Sequence, residues 1–140
     1  MEFLIIAGFV VFVGAAALLV YERHQKRVRW IPAEEKAYAH VRWHELEKLV
    51  QKGGPANLQQ AVIEADKLVD HCLKHLHVPG DTMGERLRNS RERFSDYDGI
   101  WKAHKVRNQV VHESKKELLS FEAKQAMDRF KRALTDLGVL

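Results

Sequence analysis

A continuous apolar run near the N-terminus constrains the chain more than any other feature of its sequence. Residues 3–21 are 19 positions, of which 17 are hydrophobic and two are glycine, and none carries a charge. As a helix rising about 1.5 Å per residue, this run would extend roughly 28 Å, close to the hydrocarbon thickness of a bilayer. The sequence therefore predicts a transmembrane helix over residues 3–21, preceded by a short extracytoplasmic N-terminus at residues 1–2.

The charges around this run predict its orientation. Residues 22–31 form a basic juxtamembrane linker that contains Arg23, Lys26, Arg27 and Arg29. Basic residues favour the cytoplasmic side of a membrane, so the segment 32–140 is expected in the cytoplasm and the protein in the cell membrane. A cleaved signal peptide is the alternative, but such peptides carry their positive charge before the apolar run and not after it.

The rest of the chain is mildly basic and has a single cysteine. All 23 Lys and Arg residues and all but one of the 19 Asp and Glu residues follow residue 21, so this part carries a formal charge of +5. With only Cys72, an internal disulfide framework and a multi-cysteine zinc site are both excluded. Its length suits one small domain, which excludes a multidomain enzyme.

Apolar residues recur at helical spacing through residues 32–140, and no convincing strand pattern occurs there. The first helix is expected to start at Pro32 and to stop at the Gly53-Gly54-Pro55 sequence. Further helices are expected over residues 56–77, 83–94, 97–112 and from Ser120 to Gly138. The fold class predicted from the whole sequence is all-α, with one N-terminal transmembrane helix followed by a bundle of four to five helices.

The helix expected over residues 97–112 carries the most distinctive chemistry. On a helical wheel Arg107 falls at the centre of the apolar face, between Ala103 and Val110. An arginine placed there needs a carboxylate or phosphate partner, because an unpaired buried charge is costly. Asp66 and Asp70 lie beside the apolar stripe of the second predicted helix and are the candidate partners.

Arg107 and Asn108, followed by His112, resemble the Arg-x(4–6)-His motif of HEPN (higher eukaryotes and prokaryotes nucleotide-binding) domains, in which a polar residue commonly follows the arginine. HEPN domains are also small helical bundles with this motif late in a helix, so the resemblance covers residues 33–140. It implies a metal-independent endoribonuclease without cofactors, usually a homodimer whose two motifs face one cleft. Some HEPN domains act with a nucleotidyltransferase partner, and some are not nucleases.

Two interpretations of these residues follow from their chemistry. In the first, His112 exchanges protons with the ribose 2′-OH and the leaving oxygen, Arg107 binds the phosphate, and Asn108 orients either group. His104 is then a candidate for a second proton carrier. In the second, Arg107 pairs with Asp66 to lock two helices, and His112 caps the end of its helix.

Other polar clusters allow a functional or a structural interpretation. A segment rich in arginine is a candidate RNA contact or a solvated face; it contains Arg86, Arg88, Arg91 and Arg93. The histidine pair at 40 and 44 and the pair at 71 and 75 have a spacing that zinc uses. Without an evident third ligand no metal site is predicted, and the second pair is expected to be solvated surface. Cys72 is expected in the core, and Trp43, Tyr97 and Trp101 are expected to pack.

Two functional hypotheses result. The first is a membrane-anchored RNA-binding or RNA-cleaving domain that acts on RNA through Arg107, Asn108 and His112. The second is a non-catalytic helical domain that recruits a protein partner to the membrane. The first hypothesis also anticipates a second copy of the chain as a partner.

Overall fold

The computed structural model describes residues 12–20, 30–112 and 118–140. The chain divides into two compact units, residues 1–30 and residues 31–140. In the first unit the described part of helix α1 covers residues 12–20. The second unit contains α2 (Ala33–Lys52), α3 (Pro55–His75), α4 (Met83–Asn89), a 3₁₀ turn (Arg91–Arg93), α5 (Tyr97–His112) and α6 (Ser120–Asp136). Its described residues include no strand, so the predicted helical bundle is confirmed.

The structure contradicts the predicted transmembrane helix. None of the helices formed by the described residues has both the length and the apolar character needed to cross a bilayer. The prediction of a membrane span over residues 3–21 is therefore wrong, and so is the cell-membrane localisation that was based on it. The other residues of that run, and residues 22–29 of the basic linker, lie outside the described part of the chain.

Helix α3 is the centre of the bundle and packs against α2, α5 and α6. The interior is apolar and closely packed, and its largest fully buried side chains include Leu46, Leu73, Ile100 and Phe130. Burying such residues removes apolar surface from water at about 25 cal/mol per Å², which stabilises the bundle. Cys72 is buried there as expected, and burial, with a smaller contribution from the charge of Glu35, raises the pKa of its thiol to about 12.

Local sequence signals account for most helix ends. The α2–α3 connection uses Gly53 and Gly54 at φ values of +66° and +82°, in the left-handed region that glycine tolerates. Thr82 caps α4 by accepting a hydrogen bond from the backbone N–H of Glu85, 3.2 Å away. Helix α4 ends earlier than the predicted residue 94. The hydroxyl of Ser90 donates to the carbonyl of Arg86 at 2.6 Å, and a 3₁₀ turn follows.

The start of α5 depends on a side-chain cap by Asp96. Its Oδ1 accepts a hydrogen bond from the backbone N–H of Gly99 at 2.9 Å. A Cβ atom at Gly99 would lie 2.1 Å from Asp96 Oδ2, so a larger residue would displace the cap. This cap fixes where α5 begins.

Candidate functional site

The contact between α3 and α5 contains a buried acid–histidine pair. Asp66 on α3 and His104 on α5 have side chains only 2% and 8% exposed, and His104 Nδ1 lies 2.7 Å from Asp66 Oδ1. Polar groups so deeply buried are costly unless they are paired. The pair therefore fixes the register of α5 against the central helix.

Asn108 and Arg107 extend this pair into a closed ring of polar contacts. Arg107 Nη1 donates to Asn108 Oδ1 at 2.8 Å, and the Asn108 amide nitrogen lies 3.2 Å from His104 Nε2. Arg107 Nε completes the ring 3.3 Å from Asp66 Oδ2. This last contact is an ion pair, but its N–H is not aligned for a hydrogen bond. Each member of the ring thus contacts the next.

The ring determines which nitrogen of His104 carries the proton. Arginine can only donate, so the Asn108 oxygen faces Arg107 and its NH₂ group faces His104. His104 Nε2 must then accept, and the proton lies on Nδ1, which donates to Asp66. Both ring nitrogens of His104 are engaged within the protein, so His104 orients its neighbours.

Arg107 is more exposed to solvent than the buried acid–histidine pair that holds it. A quarter of its side chain is exposed, compared with 2% for Asp66. The buried carboxylate balances the guanidinium charge, and Asn108 restricts its orientation. An arginine held this way can bind an anionic group without first losing much side-chain freedom, because its geometry is already fixed.

His112 lies at the exposed C-terminal end of α5. His104, Asn108 and His112 are spaced four residues apart and therefore share one face of the helix. Arg107 and His112 are separated by about 7.5 Å along the helix axis and by about 140° around it, so a bound phosphate would have to lie across the end of α5 to meet both side chains. The motif thus combines a half-buried, oriented arginine with an exposed imidazole. The structure does not describe residues 113–117, which follow it.

The predicted second carboxylate partner has a different role. Asp70 binds Arg86, with 2.6 Å between Asp70 Oδ1 and Arg86 Nε, and it also lies 2.8 Å from Lys74 Nζ. Burial alone would raise the pKa of Asp70. Hydrogen bonds from Arg86 and Lys74, together with their charges, outweigh this effect and hold the pKa below its ordinary value.

Of the four arginines predicted as RNA contacts, the structure buries Arg86. Arg86 is buried, and besides Asp70 it binds the carbonyl of Gly80, so it stabilises the bundle. Arg88 is exposed. Arg91 lies over the ring of Tyr97, 4.9 Å from its centroid. Arg93 is half-buried.

The aromatic residues near the motif pack as predicted. The Trp101 ring lies 5.9 Å from the His104 ring and 6.2 Å from the Tyr97 ring, measured between centroids. Trp101 is half-buried and covers one side of the buried acid–histidine pair. Trp43 is 5% exposed and donates from its indole nitrogen to Glu47 at 2.8 Å.

A basic groove of about 290 Å³ lies between α5 and α6. Its lining has three basic residues and one acidic residue, and Phe121 adds an aromatic ring that is 59% exposed; the charged residues are Lys102 and Lys105 on α5 and Glu122 and Arg129 on α6. Exposed cations with an aromatic ring are typical of surfaces that contact nucleic acid. The sequence alone does not reveal this groove, because its residues lie on two helices that only the fold brings together.

His71 and His75 have a partner that the sequence does not reveal. Glu35 lies 2.8 Å from His71 and 3.6 Å from His75, measured from carboxylate oxygens to the Nε2 atoms. The hydrogen bond from His71 is the largest influence on Glu35 and helps to lower its pKa. Since Glu35 is 36 residues from His71 in the chain, no local spacing could have indicated this pairing.

Comparison with known protein families, with curated proteins and with solved structures finds no match to this chain.

Proposed function

We propose that the domain binds RNA and cleaves it without a metal ion, as a HEPN-like endoribonuclease. One observation carries the proposal: Arg107 is oriented by the ring of Asp66, His104 and Asn108, yet a quarter of its side chain stays exposed. A guanidinium fixed in this way suits a phosphate, which it can bind through two parallel hydrogen bonds. The basic groove between α5 and α6 adds positive charge to the same helix.

In the proposed reaction, neutral His112 takes the proton of a ribose 2′-OH. The 2′-oxygen attacks the adjacent phosphorus, and the bond from phosphorus to the 5′-oxygen breaks. The products are a 2′,3′-cyclic phosphate and a 5′-hydroxyl, whose proton comes from a protonated histidine. Arg107 stabilises the negative charge that develops on the phosphate oxygens in the transition state. His104 and Asn108 act as positioning residues and do not touch the substrate.

A second copy of the chain would supply the second proton carrier. A single His112 can return its proton to the leaving oxygen, whereas two copies would provide a base and an acid together. Val111, beside the motif, is 46% exposed, and Leu119 is 52% exposed. A dimer interface at this end of α5 would remove these apolar side chains from water. A homodimer with both motifs in one cleft is therefore part of the proposal.

The ion pair between Arg107 and Asp66 favours a second candidate function. If the ring serves only to lock α5 onto α3, the domain is a non-catalytic interaction module that binds a protein partner. A nucleotidyltransferase is one such partner that the HEPN resemblance suggests. This candidate differs from the first in a measurable way. It predicts that the domain does not cleave RNA, and that replacing His112 changes nothing in an RNA cleavage assay.

The test uses the full-length chain incubated with RNA in excess EDTA. Cleavage is expected to persist in the chelator and to fall by about 10²- to 10⁴-fold in His112→Ala, the usual effect of losing a general acid–base group. His44→Ala is the matched control, because His44 is an exposed histidine on α2. Its cleavage rate should equal that of the wild type.

Arg107→Ala separates binding from catalysis. It is expected to weaken RNA binding and to slow cleavage, whereas His112→Ala should slow cleavage and leave binding nearly unchanged. Circular dichroism checks that each variant is folded. Absence of cleavage by a folded wild-type dimer, or equal rates in His112→Ala and the wild type, would reject the nuclease and favour the interaction module.

A further inference from the structure

We propose that Glu35, His71 and His75 form a zinc site that links the first turn of α2 to the last turns of α3. Glu35 is the third residue of α2, and the two histidines lie four residues apart near the end of α3. One ligand atom from each residue lies within 4.8 Å of the other two. Two imidazoles and a carboxylate are a ligand set that zinc uses when it keeps a fourth position open.

The donor atoms are already close to the spacing that zinc requires. Bonds of about 2.0–2.1 Å in a tetrahedron place ligand atoms roughly 3.3 Å apart. Glu35 Oε2 lies 2.8 Å from His71 Nε2, and the other carboxylate oxygen, Oε1, lies 3.6 Å from His75 Nε2. The imidazole rings are 4.5 Å apart between centroids. All three donor atoms lie within 4.8 Å of one another, so side-chain movements of about 1–2 Å would complete the site.

The surroundings give the metal access and support one of its ligands. The side chains of Glu35, His71 and His75 are 26%, 38% and 37% exposed, so an ion can enter from solvent. The Tyr38 ring lies 5.3 Å from the His71 ring between centroids and restricts its orientation. Cys72 is only 2% exposed and belongs to the core, so it is not the fourth ligand. A water molecule would occupy that position.

The zinc site is separate from the proposed RNA site. Asp66 and His71 are five residues apart on α3, which places them about 140° apart around its axis. The nuclease proposal needs no metal, so a chelator should remove zinc without stopping RNA cleavage. Failure of one proposal would therefore leave the other intact.

Helix α2 provides a matched control for the histidine pair. His40 and His44 are also four residues apart, but the acidic neighbour of His44 is Glu47 on the same helix, 3.7 Å away. This pair lacks the carboxylate from a second helix that His71 and His75 have. Replacing each pair by alanine removes the same number of imidazoles, and only one replacement removes the proposed site.

Isothermal titration with Zn²⁺, on full-length chain first stripped with EDTA, tests the proposal. We expect one zinc ion per chain, with binding abolished in His71→Ala/His75→Ala, weakened at least about tenfold in Glu35→Gln, and unchanged in His40→Ala/His44→Ala. Zinc at 100 times its Kd should raise the folded-to-unfolded ratio about 100-fold and Tm by roughly 10 °C.

Cobalt substitution reports the geometry, because tetrahedral Co²⁺ absorbs strongly in the visible range. Circular dichroism verifies that all variants remain folded, as expected for half-exposed positions. Equal zinc affinities in the two double-alanine variants would overturn the proposal. So would the absence of stoichiometric binding to the wild type, which would reduce the cluster to an ion pair between Glu35 and the histidines.

Discussion

Replacing Asp66 by asparagine tests the polar ring between α3 and α5 most severely. The substitution keeps the shape of the side chain and removes its charge. Asparagine can still accept the hydrogen bond from His104, but it offers no negative charge to Arg107, whose Nε lies 3.3 Å from Asp66 Oδ2. The guanidinium would then lack its compensating carboxylate at a largely buried position.

The expected cost follows from the burial of the pair and from the electrostatic interactions that the substitution removes. Breaking a fully buried ion pair by removing one partner costs about 3–5 kcal/mol, and a hydrogen bond to a charged group contributes about 1.5–3 kcal/mol. Asp66 is 2% exposed, but Arg107 is 25% exposed, so water screens part of the loss. We expect Asp66→Asn to lower the free energy of unfolding by about 2–4 kcal/mol.

Urea unfolding followed by circular dichroism measures this change. With an m-value of about 2 kcal/mol/M, a loss of about 3 kcal/mol moves the midpoint down by about 1.5 M. Glu64→Gln is the matched control, because Glu64 lies one half-turn earlier on α3 and forms surface pairs with Arg42 and Lys67. Its cost should stay below about 1 kcal/mol. If both variants lose the same free energy of unfolding, the claim that the polar ring stabilises the bundle is refuted.

Three further substitutions test the rest of the fold. The pKa of Asp70 is lowered from 3.8 in the folded state, so its stabilising effect is present above that value and is lost as the pH falls through the lower folded pKa. Asp70→Asn should therefore be less stable than the wild type at pH 7, with a difference that shrinks below about pH 4; a constant difference in urea titrations would contradict this. Thr82→Ala should cost about 1 kcal/mol by removing the α4 cap, and a cost near zero in urea unfolding would argue against the capping box. Phe130→Ala should cost about 3–5 kcal/mol because Phe130 is fully buried, whereas Phe121→Ala, at a 59% exposed position, should change Tm little.

The helical bundle could be predicted because apolar periodicity and stop signals act locally. The starts at Met83 and Tyr97 agree with the sequence prediction, and α2 starts one residue after the predicted Pro32. Pro32, Thr82 and the break before Tyr97 are local signals. The end of α4 could not be predicted in the same way. It depends on the hydroxyl of Ser90, which turns back to the carbonyl of Arg86.

The apolar run at residues 3–21 is a second case in which the prediction from sequence was wrong. Hydropathy and length predicted a membrane span, but no helix in the described ranges 12–20, 30–112 and 118–140 meets both requirements.

The candidate sites depend on contacts between helices that are distant in sequence. The wheel placed Arg107 at the centre of the apolar face, whereas in the structure His104 is the more deeply buried residue and binds Asp66. The buried face of α5 therefore includes His104, and Arg107 lies at its edge. Likewise, the pairing of Glu35 with His71 depends on how α2 packs on α3. Single-helix patterns do not contain that information.

End-group analysis of RNA fragments tests most directly whether Arg107 and His112 form a nuclease site. RNA is incubated with the full-length chain in EDTA, and the termini of the fragments are identified by mass spectrometry. We predict 2′,3′-cyclic phosphate and 5′-hydroxyl ends, and no cleavage of a matched DNA strand, which has no 2′-OH. Fragments with 3′-hydroxyl and 5′-phosphate ends, or no fragments from a folded protein, would contradict the proposed mechanism.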